Sequence, residues 1–467
     1  MTTHLRTLLL RAFLTLLAAS FAITGASAQL STATLYGTVT DPAGAVIPGA
    51  KVTMLQTDTG FVRSVLTNGD GSYRADFLPI GPYKVTVEAS GFKKLERAGI
   101  TLTVTQEAHL DLAMQIGGNE QTIEVTAAEP LLNASNSTLG STISNVEIDN
   151  LPLVDRNAYA LLDLTPGVQN NNDAGTRGNG GVINPLGYPE QHVKINGSTD
   201  SSVGQVSYYL DGGSNMTGIR NTGNPLPNPD AIREFAVQTN NFSAQFGRSS
   251  AGVITVLTKS GTNQFHGSAF EFYRDRSFNA TEHLQKVKTP YNLHRFGFTF
   301  GGPIKRDKLF FFGSYAGFRF ISANALSSTV PSAAMDSGNF SENLPSTGLT
   351  GSAACAATAT ATKFYVCDPV TRLPYPGNIV PQSAFDPAIL NIVKAGLIPT
   401  PNPSQPGDTA YTRRDLQRFT QKTDEQLYKG DYQITQKQRL TLSYFHQTGD
   451  YVLNPSGNNI LNWTTHN

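Results

Sequence analysis

The residues whose type and spacing most directly suggest chemistry are two cysteines, Cys355 and Cys367, in a segment rich in Ala, Thr and Pro. In an oxidising compartment, two cysteines this close in sequence are expected to close a small loop as a disulfide. Two unpaired thiols are the alternative. A catalytic or metal-binding role for the pair has less support, because no histidine lies near either cysteine in the sequence.

Motifs that carry known catalytic chemistry are missing from the sequence. It has no Gly-x-Ser-x-Gly elbow, no phosphate-binding Walker loop, no Cys-x-x-Cys and no paired-histidine zinc motif. Its eight histidines are scattered. Asp211-Gly212-Gly213 lacks the full spacing of a calcium loop and is interpreted as a plain turn. The sequence therefore predicts no enzyme activity, catalytic residue, metal or cofactor.

A short extended segment is the second candidate for a functional site. It follows Gly117-Gly118 and is rich in β-branched residues, so it is suited to add as a strand to the edge of a partner sheet. Main-chain hydrogen bonds would supply affinity, and the side chains of Ile123 and Val125 would set the register. The last strand of the preceding domain, or a plain linker, are the alternatives. The candidate residues are Thr122, Ile123, Glu124, Val125, Thr126 and Ala127.

Residues 29–117, which precede this segment, read as a β-sandwich of seven short strands. Gly and Pro punctuate the strands, and Asn68-Gly69-Asp70-Gly71 is a strong turn signal. The region resembles the carboxypeptidase-regulatory-like domain, and this resemblance implies a transthyretin-like or carbohydrate-binding-like sandwich without peptidase activity. The matching runs are Gly37–Asp41, Ile47–Ala50, Gly71–Tyr73, Leu78–Tyr83 and Gly91-Phe92.

Residues 131–262 change character, with a predicted short helix over Ala158–Leu164, a loop rich in Asn and Gly, and an apolar strand over Gly252–Thr258. This region resembles the plug of TonB-dependent receptors, specifically the Oar-like branch, and the resemblance implies an α/β plug domain. It also implies that the linker 118–130 carries a segment similar to a TonB box at Thr122–Ala127. The matching runs include Leu151–Leu153, Leu164–Val168, Ile195–Gly197, Tyr209–Gly212, Ile232–Phe235 and Thr258–Asn263.

Residues 263–467 show the period-two alternation of outer-membrane strands, with apolar aromatics on one face and polar residues on the other. Phe296, Phe298 and Phe300 alternate with polar or small residues, for example. A half-buried soluble sheet gives the same alternation and is the alternative. Strands are predicted over 267–275, 293–301, 309–319, 425–434 and 439–447. A long surface loop containing both cysteines is predicted over 320–423, with a short helix around 387–395.

Residues 1–28 read as a secretory signal, with Arg6 and Arg11 near an apolar core over 12–23 and a small-residue cleavage site at Ala26-Ser27-Ala28. A membrane anchor is the alternative, but the apolar core is too short to span about 30 Å of hydrocarbon. The formal net charge of zero lacks the basic footprint of a nucleic-acid binder. Only 15% of residues are charged and 43 are glycine, which together favour a mainly β protein.

The resemblance implies an outer-membrane TonB-dependent receptor or transporter that takes up an unidentified substrate with energy from TonB. Its implied partners are TonB, outer-membrane lipid and an unknown extracellular ligand. The alternative is a surface-exposed binding or adhesion protein that uses the sandwich to bind carbohydrate or peptide. Five strands do not close a barrel, which needs about eight or more. The sequence is therefore expected to be part of a longer receptor or a truncated gene product.

Overall fold

The computed structural model describes residues 32–117, 122–125, 138–151, 153, 156–170, 182–183, 189–190, 193–198, 205–218, 222–247, 249–281, 288–356, 360, 363–403, 407–436 and 438–453. The predicted signal over 1–28 and the predicted site residues Thr126 and Ala127 lie outside these residues. In the described part of the chain, no helix has both the length and the apolar character needed to cross a membrane.

The chain forms two compact units. The first is formed within residues 1–269, 297–316 and 425–446, and the second within residues 270–296, 317–424 and 447–467.

The N-terminal sandwich belongs to the first unit. One sheet has the order β4-β1-β7, with β8 also paired to β1, and the other has the order β3-β2-β5-β6-β9. The strands are β1 Thr32–Thr40, β2 Lys51–Gln56, β3 Val62–Leu66, β4 Ser72–Pro79, β5 Gly81–Glu88, β6 Lys94–Leu102, β7 Glu107–His109, β8 Leu112–Ala113 and β9 Thr122–Val125.

Alternation along the strands builds the core of the sandwich. Buried and partly exposed residues alternate along the whole of β1 and of β5, so each strand turns one face inward. Leu35 of β1 packs with Val52, Val85 and Val87 of the other sheet. The hydroxyl of buried Tyr73 donates to the Leu110 carbonyl oxygen at 2.7 Å, so burying this ring leaves no polar group without a partner.

The middle of the chain forms a second β structure, which we call the central sheet, with the order β10-β17-β18-β15-β16. Its strands are β10 Leu139–Ser144, β15 Val206–Leu210, β16 Gly213–Ser214, β17 Ile232–Asn240 and β18 Gly252–Thr258. Two short ladders accompany it, formed by β11 Val168–Asn170 with β14 Val193–Ile195 and by β12 Val182–Ile183 with β13 Pro189–Glu190.

Helical turns connect and cover the central sheet. The α-helix α1 spans Asn145–Asn150, and 3-10 helices span Ala158–Leu164, Pro229–Ala231 and Ala244–Phe246. The 3-10 helix at Ala158–Leu164 lies where the sequence predicts a short helix. It contributes Tyr159, Leu161 and Leu162 to an apolar core that also holds Phe235 of β17.

Strand β18 lies between β17 and β15, and all seven of its residues are buried. It pairs antiparallel with β17 and parallel with β15. A strand buried on both faces needs a continuous apolar run in place of alternation. The sequence Gly-Val-Ile-Thr-Val-Leu-Thr meets that need, since its polar members are short threonines.

Five long strands form the third structure, which we call the long-stranded sheet, with the order β19-β20-β21-β22-β23. They are β19 His266–Asp275, β20 Tyr291–Lys305, β21 Leu309–Thr329, β22 Thr412–Thr435 and β23 Gln438–Leu453. The predicted alternation is confirmed. In β20, Phe298 and Phe300 are 52% and 49% exposed, whereas the intervening Thr299 is 6% exposed. The mainly β fold predicted from the sequence is likewise confirmed.

The boundaries of the predicted loop over 320–423 were wrong at both ends. Strand β21 continues to Thr329 and β22 begins at Thr412. These extensions lack the aromatic alternation on which the sequence prediction relied, so their sequence does not show the strand pattern. An ion pair joins β21 and β22 at the point where the extensions begin. Arg319 of β21 donates from Nη2 to both carboxylate oxygens of Asp424 on β22, at 2.8 and 3.0 Å.

Short helices and a disulfide occupy the segment between β21 and β22, in the second unit. The α-helices are α2 Ala333–Asp336, α3 Gly351–Ala356 and α4 Pro387–Lys394, of which α4 lies where the sequence predicts a helix. The 3-10 helices are Ser341–Asn343, Pro376–Asn378 and Gln382–Ala384, and a further one follows β19 at Arg276–Phe278. Cys355 of α3 is paired with Cys367, with their Cα atoms 6.0 Å apart.

The close approach of β1 to the Leu110 carbonyl gives a test of the sandwich. A Cβ atom at Gly37 would lie 2.0 Å from the Leu110 carbonyl oxygen, so Gly37→Ala forces two backbones apart. We expect this variant to lower the free energy of local opening of β1 by about 3 kcal/mol. Hydrogen exchange of the full chain, read by mass spectrometry, measures that opening.

Gly44→Ala is the matched control. Gly44 has a φ of +86°, and nothing lies within 4 Å of an added Cβ there. This control should cost only about 1 kcal/mol, from the left-handed backbone conformation alone. Equal losses in the two variants would contradict the packing argument for Gly37.

Candidate functional site

The predicted site residues Thr122–Val125 form β9 on the edge of the sandwich. The strand runs parallel to β6, in a register that pairs Lys94 with Thr122, Leu95 with Ile123, Glu96 with Glu124 and Arg97 with Val125. We call residues 122–127 the box-like segment. Its described part thus occupies the position of a last strand of the sandwich, which the sequence analysis left open beside the box interpretation.

The sandwich contacts the central sheet through one buried carboxylate. Glu234 of β17 is 5% exposed, and its Oε1 accepts a hydrogen bond from the Val104 backbone N–H at 2.7 Å. Burial raises the pKa of Glu234 to about 7, while the Val104 N–H and the charge of Arg233 act in the opposite direction. Val104 lies two residues after β6, so this contact joins the end of β6 to the central sheet.

Further contacts surround Glu234. Gln238 donates to the Thr105 hydroxyl at 3.1 Å, and the Arg233 guanidinium donates to the Ile80 carbonyl oxygen at 3.2 Å. Ile80 and Val104 of the sandwich form a small apolar cluster with Ala236 and Leu257 of the central sheet. Apolar packing and satisfied hydrogen bonds therefore hold the two structures together within the first unit.

The central sheet contacts the long-stranded sheet through a buried ion pair. Lys429 of β22 lies 3.0 Å from Asp211, and the two side chains are 8% and 9% exposed. The Asp211 carboxylate also accepts from the Thr258 N–H at 3.0 Å and from the Thr258 hydroxyl at 2.6 Å. The Lys429 ammonium reaches the Thr258 hydroxyl at 3.1 Å. Each charge therefore has several polar partners, which a buried pair requires.

A second polar contact lies close to the 3-10 helix at Pro229–Ala231. The Asn228 N–H donates to Glu425 of β22 at 2.8 Å, and the Asn228 side-chain amide donates to the Ser314 hydroxyl of β21 at 2.9 Å. Beside it, Ala231 packs with Phe312 and Leu427. The buried face of the long strands is thus fitted to the central sheet by both polar and apolar groups.

Sequence reasoning missed most of these contact residues. The sequence shows Asp211 only in a turn and in a run that resembles the plug, and Glu234 only in another such run. Lys429 lies in the strand predicted over 425–434, and its partner lies 218 positions away. The usable signal is a charged residue at an inward position of an otherwise aromatic strand. Such a residue needs a partner, but the sequence does not name it.

Within the described residues, no group of three or more His, Cys, Asp or Glu side chains is placed to hold a metal ion. The arrangement offers a strand on a sheet edge and three buried polar contacts that join three β structures.

Comparison with known proteins identifies two of these structures. Residues 34–115 match the family model of the carboxypeptidase regulatory-like domain. Residues 257–467 match the outer membrane beta barrel domain. The long-stranded sheet therefore consists of barrel strands, and its exposed aromatic face belongs to an outer-membrane protein.

A curated relative shows which proteins this chain resembles. The TonB-dependent transporter Oar of Myxococcus xanthus is 28% identical over 314 residues, which cover 62% of this chain and 27% of that protein. The chain is thus similar to part of an Oar-type TonB-dependent transporter. A probable TonB-dependent siderophore receptor, PirA of Acinetobacter baumannii, is 29% identical over 204 residues, covering 42% of this chain and 24% of that protein. The chain thus spans about a quarter of the length of each of these receptors.

These matches place this Oar-like chain in the outer membrane, as the sequence predicts. Both curated relatives are named as a TonB-dependent transporter or receptor. A solved ferric enterobactin receptor from Pseudomonas aeruginosa aligns at 14% identity with a TM-score of 0.32, covering 67% of this chain and 33% of that one.

The contact at Glu234 predicts a pH dependence. Its pKa is near 4.5 in an unfolded chain and about 7 when buried, so the folded state holds the proton more tightly between these values. The free energy of unfolding should therefore fall by up to about 3 kcal/mol as the pH rises from about 4.5 to about 7. Urea unfolding of the detergent-refolded Oar-like chain across this range measures the slope.

Glu234→Gln keeps an acceptor for the Val104 N–H but cannot ionise. In this variant, the fall of the unfolding free energy between about pH 4.5 and pH 7 should therefore disappear. Glu107→Gln, at a more exposed carboxylate of the sandwich, should keep it. An unchanged slope in Glu234→Gln would show that ionisation of Glu234 does not control the contact.

The ion pair of Lys429 and Asp211 predicts a strong asymmetry between single and double variants. Lys429→Met leaves a buried carboxylate without its cation, and we expect a loss of about 3–5 kcal/mol in unfolding free energy. Lys429→Met combined with Asp211→Asn leaves no buried charge and should recover a large part of that loss. Urea unfolding followed by circular dichroism measures both variants.

Lys305→Met, at the exposed end of β20, is the control and should change stability little. If the double variant were as unstable as Lys429→Met alone, the coupling between the two charges would be contradicted.

Proposed function

We propose that this chain works in TonB-dependent transport across the outer membrane, with the central sheet as the plug of the barrel. The observation that carries the proposal is the fit between the central sheet and the buried face of the barrel strands. Lys429, Glu425 and Ser314 on that face reach Asp211 and Asn228 of the central sheet. A plug must fill a barrel in this way while leaving no buried charge without a partner.

The box-like segment supports the same proposal, because it stands immediately before the central sheet in the chain. In transport of this kind, TonB would grasp the segment by strand addition and draw on the plug. The short β9 suits this role, because few backbone pairs hold it and it can be released at low cost. TonB is therefore the proposed partner on the periplasmic side.

Outer-membrane lipid is the proposed partner of the exposed aromatic face. Tyr428 and Tyr432 of β22 and Phe298 of β20 are large apolar side chains that remain exposed in the folded chain. Aromatic rings of this kind are typical of the interfacial girdles of membrane barrels. The segment between β21 and β22, with its Cys355–Cys367 pair, is proposed to lie at the cell surface, where a disulfide persists. An extracellular ligand would contact the chain from that side.

Peptide binding tests the proposed box. A peptide spanning residues 119–130 should bind a TonB C-terminal domain at least tenfold more tightly than a scrambled peptide, because strand addition depends on the order of side chains. A peptide with Ile123→Pro should lose binding, since proline removes a backbone donor. Calorimetry or fluorescence anisotropy measures the three affinities. Equal affinity of the native and scrambled peptides would contradict the proposal that residues 122–127 are a TonB box.

A carbohydrate- or peptide-binding role for the sandwich stays a prediction from the sequence alone.

A further inference from the structure

The edge of the sandwich and the box-like segment already form a pair within this chain. Four consecutive residues of β6, Lys94 to Arg97, are in parallel register with Thr122 to Val125. Strand β6 would otherwise present an unpaired edge along this stretch, and such an edge is a template for strand addition. The sandwich thus provides to the segment the same kind of backbone pairing that a partner protein would provide.

The connection before the segment is short and begins beside β6. Gly117 donates to the Gly91 carbonyl oxygen at 3.1 Å, and Lys93 donates to the Gln115 carbonyl oxygen at 2.8 Å. The chain is therefore fixed against the residues just before β6, and only residues 118–121 separate this point from β9. A tether this short holds the segment at millimolar effective concentration or above near the β6 edge.

We propose that the β6 edge of the sandwich is a binding site for the box-like segment, and that TonB must displace the segment from this site. The proposal rests on the proposed function for the identity of the competing partner, but not for the docking itself. In the docked state, the backbone groups of β9 that face β6 are occupied. Only the undocked fraction is then free for capture, and the apparent affinity falls in proportion to that fraction.

The opposite arrangement makes a distinct prediction. If TonB added to the outer side of β9 while β9 stayed on β6, the docked segment would be ordered in advance and would bind more tightly than a free peptide. Displacement predicts weaker binding by the full chain than by the peptide. The sign of this difference therefore separates the two arrangements.

Cysteine trapping tests the docking without TonB. Lys94 and Thr122 are register partners, and neighbouring strands lie about 4.8 Å apart, within the reach of a disulfide. The ion pairs of Lys94 with Glu88 and Glu96 lie near the surface, so replacing Lys94 should cost little. In the full chain, Lys94→Cys with Thr122→Cys should form a bond under mild oxidation, read by peptide mapping.

The matched control moves one cysteine to a distant strand. Lys51 lies on β2, which β5 and β6 separate from β9, at roughly 14 Å in a regular sheet. Lys51→Cys with Thr122→Cys should therefore not form the bond. If no disulfide formed between Lys94→Cys and Thr122→Cys, the proposed docking of the segment on β6 would be overturned. Equal disulfide formation in the two cysteine pairs would overturn it as well.

Affinity measurements test the displacement. The full chain in detergent should bind a TonB C-terminal domain about tenfold more weakly than the 119–130 peptide. A second variant carries sixteen Gly and Ser residues inserted between residues 118 and 119, which lengthens the connection about fivefold. Docking of the segment on β6 then closes a longer loop and becomes less favourable. The affinity of this variant for the TonB domain should therefore rise about tenfold. Oxidation of the Lys94→Cys, Thr122→Cys chain should abolish binding, and reduction should restore it.

The outcomes separate this inference from the proposed function. If the peptide itself fails to bind TonB, the proposed function fails, while cysteine trapping still reports the docking. If the peptide binds but neither the insertion nor the trap changes the affinity of the full chain, displacement is overturned. Tighter binding by the trapped chain overturns it as well, in favour of strand addition to the docked segment.

Discussion

The burial of β18 on both faces is the constraint on which the rest of the first unit depends. A strand in the middle of a sheet can bury all its side chains only if other elements cover both faces. On one face, Ile254 and Val256 pack with the 3-10 helix that carries Tyr159. On the other, Leu257 packs with Ile80 and Val104 of the sandwich. At the end of the strand, Thr258 binds Asp211 and Lys429, so the same strand also fixes the position of β22.

Polar groups at these contacts define position more than they add stability. A buried ion pair gains little over a well-packed apolar pair, because its desolvation offsets its attraction. A shifted sheet, however, would leave Asp211 or Glu425 buried without a donor, which is far more costly. Apolar contacts such as that of Ala231 with Phe312 and Leu427 would tolerate a small shift. The ion pair and the Asn228 contacts therefore select one register between the central sheet and the barrel strands.

Local patterns in the sequence predict the elements well, because they depend on near neighbours. The alternation around Phe298, the apolar run at β18 and the helix at Pro387–Lys394 all lie where the pattern places them. The sequence does not specify which strand face meets a partner. In β21, Phe310 and Phe312 lie on the buried face, although aromatic residues in such strands are expected on the lipid side. The reason is that this face packs against the central sheet and needs apolar volume there.

At the box-like segment, too, the local sequence predicts the strand but does not predict its partner. The β-branched run at Thr122–Val125 predicts an extended strand, and the structure has one. The sequence left open whether it serves as a box or as the last strand of the sandwich, because both need the same backbone and the same side-chain types. Pairing with β6 depends on where Lys94–Arg97 lies in space, and no local pattern reports that.

The two interpretations of the segment are compatible on physical grounds. A segment built to add to a foreign sheet edge carries free donors, free acceptors and β-branched side chains, and it will pair with any suitable edge within reach. Gly117 is bonded to Gly91 just before β6, and β9 begins only five positions later in the sequence, so the β6 edge is within its reach. A longer β9 would dock too firmly to be released, whereas no docking would leave an adhesive strand exposed. The four residues paired with β6 lie between these extremes, so a docked segment of this length suits the role proposed for it.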